Sequence, residues 1–237
     1  MEPRLESSGG KQRRVHGGSV VAGDRSAQCF RAAWNAAKER REPFRHWLIA
    51  DVLPPDAARA VLDLPILPAP IADTKGKRET HNALRVFFSG KNLEDYPVCS
   101  EIASAFQQPR IVSAIAEKTG QSLAGSFLRI EYCQDTSGFY LEPHTDVGAK
   151  LVTMMIHLST GQGAENWGTD LYRMDGTHAG RVRSAFNSAY MFLPGTDTLH
   201  GFEPREIAGV RRALIVNYVK PEWRSRHELA FPDLPVG

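Results

Sequence analysis

The sequence predicts an α+β, mainly β protein whose core is a double-sheet jelly roll with helices packed on one face. Its second half holds short apolar or alternating runs at 126–132, 150–158, 169–174, 188–193 and 212–219, separated by Gly, Asp, Asn and Pro loops. No stretch of crossover-helix length lies between them, which argues against a doubly wound parallel sheet. The first half is instead helix-heavy, with apolar residues three and four apart and prolines marking the boundaries.

Residues 1–25 are rich in Gly, Ser and Arg with no sustained apolar period, and are expected to form a mobile arm. From 26 to 41, Cys29, Phe30, Ala33, Trp34 and Ala37 line one helical face, with Ser26 as cap and Pro43 as stop. A strand is expected at 47–52. Pro55 opens a helix to 64, because proline suits the first helical turn, and the Pro-rich stretch 65–70 ends it. A strand at 84–88 and helices at 98–106 and 109–118 follow, the last closed by Gly120. The resulting organisation is one domain over 26–237, with helical support at 26–120 and the jelly-roll core at 121–223.

With 237 residues, the chain is long enough to bury roughly 70 to 75% of its unfolded surface without a structural metal or disulfides. Any metal here is therefore functional in expectation. Gly 20 and Pro 15 are too few for a low-complexity chain, and a net charge of +2 gives no clustered basic field for nucleic acid. Cys29, Cys99 and Cys133 are far apart and form no Cys-x-x-Cys pair, so neither a disulfide framework nor a zinc ribbon is indicated. No apolar run reaches the roughly 20 residues of a membrane span, and the first residues lack a secretory apolar region. A cytoplasmic location is expected.

The chemistry concentrates in Glu142-Pro143-His144-Thr145-Asp146, where His144 and Asp146 share one face of an extended chain. That pair alone is a common coincidence. His200 gives it weight, because it follows the run 188–193 at a sheet edge, where a jelly roll can return it beside the first pair. Two His and one carboxylate on one face make the facial triad of a non-haem Fe(II) oxygenase, with open positions left for other ligands. Arg211 and Arg212 then open a strand that runs into an apolar interior, where a guanidinium can grip a carboxylate bidentately. Only one of the two can face the interior, and Arg211 is favoured because its face carries Ala213 and Asn217.

The order His144-x-Asp146, His200, Arg211, with the tract 150–158 after the first pair, resembles the 2-oxoglutarate- and Fe(II)-dependent dioxygenases. The resemblance is closest to the small bacterial type of the prolyl-hydroxylase-like branch and covers roughly residues 43–223. It implies a double-stranded β-helix, a cupin-like jelly roll, in which His144, Asp146 and His200 hold Fe(II). Arg211 would bind the distal carboxylate of 2-oxoglutarate, with dioxygen as the second cosubstrate. Tyr132 matches a position from which relatives reach the cosubstrate, and His157 stands where they often carry Tyr. Residues 168–171 depart from the branch's usual turn. The implied reaction is oxidation, most simply hydroxylation, of an unactivated C–H bond in a small molecule, sugar, amino acid or peptide, with release of succinate and CO2.

Two other classes use the same residues: a jelly-roll hydrolase or isomerase with zinc at His144, Asp146 and His200, and an inactive binding module. The zinc reading has no use for Arg211. For the substrate, Phe139, Tyr140, Asn166 and Trp167 are candidates to ring the mouth. Lys150 is expected to be a solvated or snorkelling side chain, and Cys133 a small buried residue.

Overall fold

The computed structural model describes residues 18–69, 75–77 and 85–237, with side chains from residue 23 onward. Residues 1–17 of the expected arm, Pro70 and Leu84 lie outside the described residues.

The first helix, α1 (Gly18–Ala36), begins within the expected arm and ends five residues earlier than the spacing suggested. Its buried face is the one predicted, with Ala27, Phe30 and Trp34 at helical intervals. Ser26 is no cap: it lies inside the helix and donates its hydroxyl hydrogen to Glu101 Oε1 at 2.5 Å. The helix ends because Lys118 Nζ collects its last carbonyls, donating to Trp34 O at 2.6 Å and Ala37 O at 3.2 Å. The residues beyond form strand β1 (Lys38–Arg40), which pairs with β2 (His46–Ile49) as a hairpin.

Helices α2 (Pro55–Leu62) and α5 (Pro109–Thr119) start on a proline at the first turn, as expected, and α4 (Pro97–Gln107) starts on Pro97, one residue before its expected start. A short α3 (Lys91–Asp95) precedes α4. Gly120 closes α5 at φ 79°, a left-handed conformation that disfavours any side chain.

The remaining strands are β3 (Val86–Phe87), β4 (Phe127–Asp135), β5 (Leu141–His144), β6 (Lys150–His157), β7 (Asp170–Tyr172), β8 (His178–Arg181), β9 (Ser188–Phe192), β10 (His200–Phe202) and β11 (Arg211–Val219). The described residues build a seven-stranded sheet ordered β1-β2-β9-β6-β11-β4-β3 and a four-stranded sheet ordered β5-β10-β7-β8, with every pairing antiparallel. Strands β1, β5, β8 and β10 are short and polar, and the sequence reading did not resolve them.

Side chains alternate across the larger sheet, and this divides its two faces by chemistry. Leu128, Ile130, Val152, Met154, Ile156, Met191, Leu214, Val216 and Tyr218 point to the helices and join Phe30, Trp34, Ile102 and Ile115 in one apolar core. The opposite face carries Arg129, Glu131, Thr153, Tyr190, Arg211 and Asn217, nearly all buried by the smaller sheet and its loops. Phe44, Leu171, Val182, Tyr190 and Phe192 fill one flank between the sheets, and Phe139, Trp167, Phe202 and Ile207 fill the other.

On the helical side, Trp47 of β2 meets Trp34 of α1 edge to face at 5.6 Å, and both rings are fully buried. Trp47→Ala is expected to cost about 3–5 kcal/mol through lost burial and the cavity left behind. Chemical denaturation would read this as a lower midpoint at unchanged slope.

Candidate metal centre

The smaller sheet brings the two histidines together: His144 at the end of β5 is the Cα partner of His200 on β10, and their rings lie 4.6 Å apart. Close approach of the two strands requires Gly201, since a Cβ there would stand 2.8 Å from Leu141 O. Asp146 follows two residues after His144. One ligand atom from each of His144, Asp146 and His200 falls within 4.8 Å of the others. Both rings are fixed by backbone carbonyls: His144 Nδ1 lies 2.8 Å from Glu142 O, and His200 Nδ1 lies 2.9 Å from Thr198 O. A carbonyl only accepts, so each Nδ1 carries the hydrogen and each Nε2 keeps a lone pair for a metal.

Asp146 is held on both oxygens. Lys150 Nζ donates to Oδ1 at 2.5 Å and Thr153 Oγ1 donates to Oδ2 at 2.6 Å. A chain of bonds continues behind Thr153, whose oxygen accepts from Asn217 Nδ2 at 2.9 Å, while Asn217 Oδ1 accepts from Arg129 Nη1 at 2.9 Å. Arg129 in turn donates to Glu131 at 2.9 Å and Glu228 at 2.5 Å, and Arg85 grips Glu131 through Nε at 2.9 Å and Nη2 at 2.5 Å. Burial alone would raise the pKa of Asp146, but the charge of Lys150, that of His200 once it is protonated at low pH, and the bonds from Lys150 and Thr153 outweigh it and bring it down to about 2. The carboxylate is thus an anion throughout the physiological range. Burial holds His200 neutral, with a pKa near 4.

The triad opens on a cavity of about 150 Å³ between the sheets. Arg85, Glu131, Lys150, Val147 and Trp223 line it together with Thr153, Met155, Thr169, Tyr190, Phe202 and Arg211. Arg211 is buried, and its guanidinium is fixed from behind by Asp135 and by Trp167 O, which accepts from Nε at 2.6 Å. Its Nη2 lies 3.2 Å from Met155 Sδ, and Thr169 Oγ1 donates to the same sulfur at 3.6 Å. A thioether is a weak acceptor, so this end of the cavity is rich in donors and suited to an anionic group.

Several expected positions lie elsewhere. Tyr132 is on the helical face of β4, in the apolar core, because strand alternation turns it away from its neighbours Glu131 and Cys133. Arg212 points to that same side, so Arg211 is the arginine that reaches the cavity. His157 follows Met155 on the cavity face of β6 but is completely buried beyond the cavity lining, its Nε2 without a partner. Phe139 and Trp167 sit in an apolar cluster rather than at the mouth, and Trp167 spends its indole hydrogen on Glu206 O at 3.1 Å. Tyr140 and Asn166 are not part of the cavity lining either. Lys150 is an ion-pair partner of Asp146 instead of a solvated side chain. Arg85, Glu131 and Trp223 also line the cavity, and no pattern in the sequence singles them out.

A second group, Asp170, His178 and Glu203, also has metal-like spacing. Asp170 is already occupied by Arg181, Arg205, His178 and the Glu203 backbone N–H, so this group is an ion-pair cluster that ties β7, β8 and β10 together.

No family model matches the chain, and no curated protein matches its sequence. Solved structures do share its fold. A prolyl-4-hydroxylase from Pseudomonas putida aligns with TM-score 0.54 and 16% identity, over 81% of this chain and 92% of its own. A prolyl hydroxylase from Trichoplax adhaerens, solved with a hypoxia inducible factor oxygen degradation domain peptide fragment, aligns with TM-score 0.56 and 12% identity, over 90% and 97%. An oxidoreductase of the 2OG-Fe(II) oxygenase family from Burkholderia pseudomallei gives TM-score 0.50 and 14% identity, over 92% and 95%. At such identities the likeness is one of fold: mostly antiparallel sheets with a few helices.

Thr153→Val removes the bond to Asp146 Oδ2 and leaves Asn217 Nδ2 facing a methyl group. Affinity for Mn(II), measured by titration of metal-free protein, is expected to fall about 10- to 100-fold, and Thr153→Ser to restore it. Acid stability follows from the buried imidazoles. Burial, then the charge of Arg211, lowers the pKa of His157 from 6.5 to about 3, and burial lowers that of His46. Below pH 6.5 the unfolded chain therefore binds protons that the folded chain refuses, and stability falls with pH down to about 3. Thermal melts of metal-free protein should show this slope, flattened in His157→Leu.

Proposed function

We propose that this chain is a non-haem Fe(II)- and 2-oxoglutarate-dependent dioxygenase, built on a double-stranded β-helix, that hydroxylates an unactivated C–H bond of a small molecule or peptide. The observation that carries this reading is the juxtaposition of a two-histidine, one-carboxylate triad and a buried, pre-oriented arginine on one cavity. The donor set fits Fe(II), because both imidazoles present Nε2 and the carboxylate is ionised.

His144, Asp146 and His200 would hold the metal, which supplies oxidation of the substrate by dioxygen coupled to conversion of 2-oxoglutarate into succinate and CO2. The chain's own residues do the rest. Arg211, held rigid by Asp135 and Trp167 O, receives the distal carboxylate with its fork already aimed, so little ordering entropy is lost on binding. Lys150 and Thr153 keep the Asp146 carboxylate in one orientation. Phe192, packed edge-on against His200 at 4.8 Å, and Phe202 keep water from the metal's neighbourhood. Arg85, Glu131 and Trp223 give the cavity wall polar groups that a substrate would meet.

Succinate release is expected to require Fe(II), 2-oxoglutarate and dioxygen together and to be abolished in Asp146→Ala. Arg211→Lys, which still pairs with Asp135 but loses the fork, should raise KM for 2-oxoglutarate by about tenfold or more. Unchanged succinate release by Asp146→Ala would refute the reading.

A further inference from the structure

Tyr190 has no part in the triad or in the grip on Asp146, yet it stands beside both. It projects from β9 into the cavity and is 1% exposed. Its ring stacks on Phe192 at 5.2 Å and meets His46 edge-on at 5.5 Å, and Phe192 in turn packs against His200. Through Phe192 the ring borders His200, and the charge of Asp146 reaches its phenol, while its strand position pairs with Met155, whose sulfur lies against Arg211. The phenol oxygen is buried, and no group among the described residues pairs with it.

An ordinary phenol keeps its hydrogen at neutral pH, and burial disfavours its anion further. This hydroxyl is a donor with nothing to donate to. A buried donor left unpaired is destabilising, a cost that phenylalanine would avoid while filling almost the same space. Packing therefore explains the ring but not the hydroxyl. An oxygen ligand at the triad would explain it, since a bond from a neutral hydroxyl to an ionised oxygen is charge-assisted and short.

We infer that Tyr190 is a ligand-binding residue whose hydroxyl donates to a carboxylate oxygen of the molecule held at the triad. The inference rests on the proposed function in taking that molecule to be 2-oxoglutarate, bound through the carboxylate end nearest the metal. In this chain a phenol from β9 would then serve the metal end, while Arg211 serves the far end.

The test is equilibrium dialysis without oxygen on Mn(II)-loaded wild type and Tyr190→Phe, with 2-oxoglutarate and with oxalate, a shorter dicarboxylate that reaches only the metal end. Tyr190→Phe should raise the dissociation constants of both about tenfold or more, with Mn(II) affinity unchanged. The melting temperature of the metal-free variant should equal or exceed that of wild type, because no bond is lost on folding. Unchanged dissociation constants would overturn the inference, as would a parallel loss of Mn(II) affinity, which would place the phenol behind the triad. Binding of oxalate but not of 2-oxoglutarate by wild type would instead refute the proposed function, and the role of Tyr190 would still be decided by oxalate.

Discussion

Arg129 is 1% exposed, and removing its guanidinium from water is tolerable only because Glu228, Glu131 and Asn217 take its hydrogens. Those partners sit on β4, β11 and the chain after β11, so the charge can be buried only when these elements are in register. The same bonds reach the candidate metal triad. Arg129 fixes the amide of Asn217, Asn217 fixes the hydroxyl of Thr153, and Thr153 fixes Asp146. Orientation of one carboxylate is thereby tied to the pairing of three central strands, and a cluster of charges that would otherwise weaken the sheet becomes the support of the site.

That support depends on the alternation of β-strands. One face of the large sheet is apolar and needs the helices; the other is polar and would be unstable against them. Covering the polar face with a second, small sheet leaves a cavity whose walls are donors and acceptors already satisfied by each other, except at a few positions. Those exceptions, among them the Tyr190 hydroxyl and the Trp223 indole N–H, are where a ligand's atoms would be felt.

Much of this was legible in the sequence. The apolar strands β4, β6, β9 and β11 announce themselves by residue type, helices α2 and α5 by proline at their starts, and the triad by spacing and order. Arg211 was separable from Arg212 by alternation together with Ala213 and Asn217 on its face. Alternation also sets Tyr132 and Glu131 on opposite faces of β4, but it is the structure that puts Glu131 on the cavity side. The short strands were not legible, because their polar residues follow no period and their pairing is decided by the rest of the fold. Nor could Arg85, Glu131 and Trp223 be gathered around the cavity, as they come from β4 and from segments before β3 and after β11 that only tertiary structure brings together. Phe139 and Trp167 looked like mouth residues because aromatic side chains in loops suit both surfaces and small buried clusters.

The central claim is that His144, Asp146, His200 and Arg211 bind Fe(II) and 2-oxoglutarate jointly in one cavity. Addition of both to metal-free protein without oxygen, followed by visible absorption, tests it directly. The account predicts a metal-to-ligand charge-transfer band that needs both components and is lost in Asp146→Ala. Absence of the band in wild type, with tight binding of zinc instead, would contradict it.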